Sequence, residues 1–173
     1  MFTKKSMQIL FGILVILTWV FGSAIQAGAE TLKGKLALTV TKNETIPVND
    51  VEGHVLGMQI QEGVTFFENG EIAKTRNHNV YDIIPGKGGQ AINYNIWTFE
   101  DGSTVINRTQ RTMVQDEKGN VSAKVVSEFV KGTGRFAGIK GTGSATGKVF
   151  PPSQGEAGRQ VMEFTWTYTL PSK

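Results

Sequence analysis

The sequence predicts an all-β fold, a single antiparallel β-barrel of about eight strands, and three observations carry that expectation. Residues 30–173 show no sustained helical period, whereas period-two alternation of apolar and polar residues recurs along them. Turn signals rich in Gly, Pro, Asn and Asp separate the alternating runs. Cysteine is absent, so the domain must hold itself together by burial and ladder hydrogen bonds. A closed sheet does this without leaving an edge.

The first stretch of the chain differs in kind from the rest. Lys4 and Lys5 precede a charge-free run from Ser6 to Ala29 that contains the apolar segment Ile9–Phe21, which is the pattern of an N-terminal signal helix. Ala27-Gly28-Ala29 then supplies the small-x-small site that a signal peptidase accepts. Residues 1–29 therefore read as a signal peptide and residues 30–173 as the barrel domain, exported once cleavage frees Glu30. The alternative is an uncleaved anchor, since Ile9–Ile25 falls just short of the ~20 residues that cross a bilayer. Its shortness and the processing pattern favour cleavage, which leaves no stable membrane anchor. With no cysteine after the apolar run, a lipid-anchored bacterial lipoprotein is excluded.

The 18 basic and 15 acidic residues give a net charge of +3, but Lys4 and Lys5 supply two of those charges. The domain itself is nearly neutral. It has no electrostatic claim on nucleic acid or on a membrane surface.

The alternating runs are Leu32–Thr41, Gly53–Gln61, Val64–Glu68, Glu71–Arg76, Asn79–Ile84, Ala91–Phe99, Thr104–Gln115, Val121–Lys131, Ile139–Phe150 and Gln160–Leu170. These exceed the strands of a small barrel, so some neighbouring runs must join. Asn69-Gly70 and Asp101-Gly102 read as two-residue hairpin turns, because Asx-Gly tolerates positive φ at both central positions. The second of these pairs Thr98 with Val105, Ile96 with Asn107, Tyr94 with Thr109 and Ile92 with Arg111. Glu117-Lys118-Gly119 reads as a three-residue loop with Gly in the left-handed bulge position. That loop pairs Arg111 with Val125, Thr109 with Ser127 and Asn107 with Phe129.

Together these registers define an inner face that collects Ile92, Tyr94, Ile96, Val105, Asn107, Thr109, Arg111, Met113, Ala123, Val125, Ser127 and Phe129. Arg108 falls opposite Glu128 outside. Trp97 and Phe99 fall outside next to Ile106, an apolar patch and a candidate homo-oligomer contact. In the last run Met162, Phe164, Trp166, Tyr168 and Leu170 share one face. In the run before it Gly141, Gly143, Ala145 and Gly147 share a face and make room for neighbouring aromatics or for a ligand.

Chemistry-bearing motifs are sparse. Gly132-Thr133-Gly134 and the glycines after it lack the spacing and the following helix of a phosphate loop. His54 and His78 are the only histidines, and with no cysteine or tight carboxylate cluster no metal site or cofactor is expected. No serine shows the strained elbow and positioned histidine of a nucleophile. The inner polar set remains: Tyr94, Asn107, Thr109 and Arg111, with Phe164 and Trp166 as apolar wall. These groups orient a small, largely apolar ligand in the lumen, or they only satisfy one another, or Arg111 reaches solvent at the barrel rim.

The stretch Glu128-Phe129-Val130-Lys131-Gly132-Thr133-Gly134-Arg135-Phe136-Ala137-Gly138-Ile139-Lys140-Gly141-Thr142-Gly143 resembles the allene oxide cyclase and dirigent barrels, which carry a similar Gly-Gly-Thr-Gly-x-Phe-x-Gly-type element late in an antiparallel sheet. The resemblance implies an eight-stranded barrel, often trimeric, with a lumen for hydrophobic small molecules. Such barrels either cyclise an unstable lipid epoxide or guide the coupling of radicals made elsewhere. The cyclase's active-site positions are not matched to residues of this sequence, so its activity is not carried over. Three functions follow: a secreted small-molecule binder, an isomerase or cyclase using the same lumen, or a structural barrel whose lumen is filled. Cavity volume separates the last from the first two.

Overall fold

The computed structural model describes residues 28–172, so the signal segment expected over residues 1–29 lies outside the described residues except for its last two. Ala29–Pro171 form one unit. Its strands are β1 (Glu30–Pro47), β2 (Val55–Phe67), β3 (Ile72–Ile84), β4 (Gly88–Phe99), β5 (Thr104–Gln115), β6 (Val121–Gly132), β7 (Lys140–Phe150) and β8 (Arg159–Thr169). Each pairs antiparallel with the next, and β8 pairs with β1 to close the barrel. The expected all-β barrel of eight strands is present. The surplus of runs resolves into β2 and β3, each of which joins two of them.

β1 outlasts its partner on one side. Its ladder with β8 ends at Thr39 opposite Arg159. After an irregularity between Val40 and Lys42 the strand continues to Pro47, paired among the described residues with β2 alone. This leaves a two-stranded lip beyond the barrel rim.

The hairpins show how local chemistry sets which residues face inward. The β5–β6 register is the expected one: Arg111 lies opposite Val125, Thr109 opposite Ser127 and Asn107 opposite Phe129. Outside, Arg108 reaches Glu128 at 3.3 Å. The β4–β5 register differs by one residue from the expectation, with Trp97 opposite Val105, Asn95 opposite Asn107, Asn93 opposite Thr109 and Ala91 opposite Arg111.

The physical cause is in the turn. Asn49 is the only non-glycine described residue with positive φ, so neither Asn69 nor Asp101 adopts the conformation that a two-residue type I′ turn demands at its first position. Each loop takes three residues instead. The Phe99 N–H donates to the Ser103 carbonyl at 3.0 Å, and the Gly102 N–H to the Phe99 carbonyl at 3.1 Å. Gly102 takes φ 78° and Gly70 φ 87°, a left-handed position open to glycine at little cost. The Asx side chains hold this form, since Asp101 Oδ1 accepts from the Ser103 N–H at 2.9 Å and Asn69 Oδ1 from the Glu71 N–H at 3.1 Å.

A one-residue shift exchanges the two faces of a strand. Ile92, Tyr94 and Ile96 therefore point outward, and Asn93, Asn95, Trp97 and Phe99 point inward. Tyr94 is 43% exposed, whereas Trp97 is 1% exposed. The outer patch expected from Trp97 and Phe99 does not form. An apolar stripe of Met58, Val80 and Ile92, adjacent across β2, β3 and β4, lies on the outside instead.

One end of the barrel is filled with aromatic rings. Phe67 meets Trp97 edge-on and stacks with Phe99, both at 5.3 Å between centroids. Trp166 lies 5.2 Å from Trp97 and 4.8 Å from Phe129. Gly143 on β7 lies against Trp166, where an added Cβ would come within 2.7 Å of the indole; its missing side chain is filled by a neighbouring aromatic. The Gly-rich segment after β6 forms a single 3₁₀ turn, Gly134–Phe136, that lids this end. Phe136 packs 4.8 Å from Phe99, and Arg135 covers both rings while pairing with Glu71 and Asp101.

This register makes opposite predictions for two residues that sequence reading placed the other way round. Trp97→Ala is expected to cost about 3–5 kcal/mol in urea unfolding. Tyr94→Ala is expected to stay within about 0.5 kcal/mol of wild type, as exposed substitutions usually do.

Candidate functional site

Above the aromatic end the inner side chains form layers across β3, β4 and β5. Asn77, Asn95 and Asn107 share one level, Asn79, Asn93 and Thr109 the next, and Tyr81, Ala91 and Arg111 the one nearest the open end. Each level follows from the same alternation that buries Trp97 and Val105 below it. Small Ala91 beside Arg111 leaves room for the long guanidinium side chain to lie inside the barrel.

The polar residues bond mainly to one another. Asn95 Nδ2 donates to Asn107 Oδ1 at 3.0 Å, and the hydroxyls of Thr65 and Thr75 meet at 2.6 Å. The Asn93 amide takes the orientation that its neighbours' donors and acceptors require. Its oxygen then accepts from Arg111 Nη2 at 3.0 Å and Thr109 Oγ1 at 2.9 Å, and its nitrogen donates to Asn79 Oδ1 at 2.5 Å. From Asn79 the chain continues through Gln59, Gln61 and Gln160, with Gln160 Nε2 donating to Gln61 Oε1 at 2.7 Å.

Arg111 is the one charged group in this network. It is 5% exposed, no carboxylate pairs with it among the described residues, and its Nε has no hydrogen-bond partner. Burial lowers its pKa to about 10, still far above neutrality, so it keeps its charge. Holding an ion this deep costs several kcal/mol unless charge or hydrogen bonds offset it.

Beyond Arg111 the barrel opens. A mouth of about 300 Å³ is lined by Tyr81, Ile83, Met113, Val121 and Val149 among apolar groups, with Arg111, Gln59, Gln61 and Asn79 at its floor and Arg159 at its rim. Its volume stands at the small end of the ~300–1,000 Å³ typical of ligand pockets. Below Arg111 the lumen shrinks to about 20 Å³ between Asn93, Thr109, Trp97, Phe164 and Trp166. A shallow depression crossed by the 2.8 Å Lys35–Glu163 ion pair also marks the outer wall, but both its charged side chains stay in water.

The expected site residues separate accordingly. Arg111 reaches the mouth. Thr109 supports Asn93 beneath it, and Asn107 is one level deeper, bonded to Asn95. Phe164 and Trp166 are buried in the filled end and do not line the mouth. Tyr94 is outside the barrel altogether, by the turn geometry given above. Sequence reading missed Asn93, which the corrected β4 face brings inward, and also Asn79, Gln59 and Gln61 on β3 and β2, whose inner face it did not assign. It also missed Tyr81, whose ring lies over Gly57, where a Cβ would come within 2.2 Å of it. Only a glycine there lets the phenol reach Asn43 Oδ1 at 2.7 Å.

No protein-family model matches the chain, and no curated protein matches it.

The loop between β1 and β2 is tied to the mouth. Gly53 packs against Pro85 at the rim. His54 bridges two carboxylates, with Nδ1 at 2.5 Å from Asp50 and Nε2 at 2.8 Å from Asp82 on β3. These two partners raise the His54 pKa above the ordinary imidazole value. Such a clamp is fully present below the unfolded pKa of ~6.5 and is lost as pH rises through the raised folded value. His54→Ala is therefore expected to speed amide exchange of residues 48–54 in mildly acidic buffer. The difference from wild type should shrink as pH climbs past the folded pKa, which exchange measured across pH by NMR will show.

Proposed function

We propose that the protein is an exported small-molecule-binding barrel whose ligand occupies the open mouth. One observation carries this reading: a cavity of about 300 Å³ stands directly on the buried Arg111, in a barrel otherwise filled by its own side chains. Apolar walls with a few convergent polar groups are the usual make-up of a ligand pocket. Export rests on the leader pattern of Lys4, Lys5, Ile9–Phe21 and Ala27-Gly28-Ala29.

Binding is favoured over isomerase or cyclase chemistry because no histidine, aspartate or glutamate among the described residues lines the mouth, and its one phenol, Tyr81, already donates to Asn43 and has its pKa raised by burial. A proton-moving reaction needs a general base within hydrogen-bond reach. Kinship with the allene oxide cyclase and dirigent barrels is part of the same proposal, and two features support it. These are the closed order of eight consecutive antiparallel strands and the Gly132–Gly138 segment that lids one end.

Native mass spectrometry of the protein recovered from its own host tests the reading. Wild type is expected to carry a small co-purifying molecule, and Val149→Trp, which fills the mouth from its wall, is expected to lose it with an unchanged circular-dichroism spectrum. A bare polypeptide mass for wild type, with no thermal shift across a small-molecule library, would count against a binding role.

A further inference from the structure

Arg111 presents a cation that no anion among the described residues balances. A guanidinium offers five N–H donors in a planar fork, and the acceptors beside this one are already engaged. Asn93 Oδ1 receives both Arg111 Nη2 and Thr109 Oγ1, and Asn79 Oδ1 receives Asn93 Nδ2. The Nε remains without a partner. Every neighbour in the network is a neutral amide or hydroxyl.

The mouth above has the same polarity. Arg111 and Arg159 line it, and among the described residues no carboxylate does. Arg159 is partly neutralised at the rim by Glu156, at 2.9 Å, whereas Arg111 at the floor is not. A low-dielectric cleft with charge of one sign draws in the opposite charge. Around and above the floor, Met113, Val149 and Tyr81 offer apolar surface.

We infer that the ligand is a small organic monoanion, its carboxylate or sulfonate head received by the Arg111 guanidinium and its compact apolar body facing Met113, Val149 and Tyr81. This rests on the reading that the mouth binds a small molecule, and it adds the ligand's chemical class. A single buried cation suits a single negative charge. The planar fork suits a head with two or three coplanar or clustered oxygens, which it can engage through paired hydrogen bonds. The cavity's size keeps the body small. Arg159 at the rim steers the anion inward without being buried itself.

The test uses the full chain as expressed and processed by the cell, titrated calorimetrically with three probes that share one body. These are 4-tert-butylbenzoate, 4-tert-butylbenzyl alcohol and 4-tert-butylbenzylamine. The acid is expected to bind at least about tenfold tighter than the alcohol, as a charge-assisted hydrogen bond warrants, and the amine not measurably. Arg111→Met should erase the preference for the acid and Arg111→Lys should keep part of it. A second measurement needs no variant: with the carboxyl carbon of the benzoate labelled, NMR of the wild-type complex should show the bound acid titrating at least about one pH unit below the free acid. Acid and alcohol binding equally, or an unshifted titration, overturns the anion assignment and leaves the binding reading standing. Failure of all three probes to bind overturns the anion assignment, and joined to a bare native mass for wild type it overturns the binding reading as well.

Discussion

The ladder between β1 and β8 is the contact on which the rest of the molecule depends. It joins Glu30–Thr39 to Arg159–Tyr168, the two ends of the domain, with no disulfide to hold them. Bringing such distant segments together costs loop-closure entropy before any contact repays it, and a topology of this kind folds slowly. Once closed, however, the sheet has an inside, and only then do the Asn and Gln side chains leave water together and become one another's partners. In an open sheet the same amides would be solvated, and Arg111 would be an ordinary surface charge.

The interior is ordered by height. Aromatic rings fill one end and are lidded by Phe136 and Arg135. Neutral amides and hydroxyls occupy the middle, and the mouth is apolar around a cationic floor. The order has an energetic logic. Burying rings supplies the large favourable term of a small core, while buried amides stabilise little beyond replacing their bonds to water. Several are incompletely satisfied, including both polar atoms of Asn77 and the Nδ2 of Asn107, and the aromatic end must offset them. The polar layer therefore acts mainly on placement. Arg111 is held by Asn93, which is held by Thr109 and Asn79.

Much of this architecture was legible in the sequence, and most of the inner-face error traces to the turn between β4 and β5. Eight strands, closure and the β5–β6 register followed from alternation and from Gly119 as the left-handed residue of its loop, and Arg108 met Glu128 as that register requires. Asp101-Gly102 misled because its dipeptide suits two turn types. The choice between them was made by the Asp101 carboxylate bonding the Ser103 N–H, a geometry that composition does not encode. One residue of difference sent Tyr94 outward and brought Trp97, Asn95 and Asn93 in. The β4 segment gave little warning, since Ile92, Tyr94 and Ile96 look as suited to a core as Trp97 and Phe99. Arg111 was found because the neighbouring hairpin was read correctly. Tyr81 was missed because its place depends on the absent side chain of Gly57, two strands' worth of geometry that no single run displays.

The lip formed by the end of β1 carries a consequence for how copies of this chain meet. Closure removes sheet edges everywhere that β8 reaches, but from Lys42 to Pro47 one side of β1 faces no strand among the described residues. A free edge is a template on which a second chain can extend the sheet. Here the exposed stretch carries Lys42 and Glu44, paired at 2.7 Å, and ends at a proline that cannot donate to a ladder. Charge must be stripped of water, and the proline tolerated, before another strand can dock. The barrel thus keeps its longest strand free at the rim while making that strand a poor seed for aggregation.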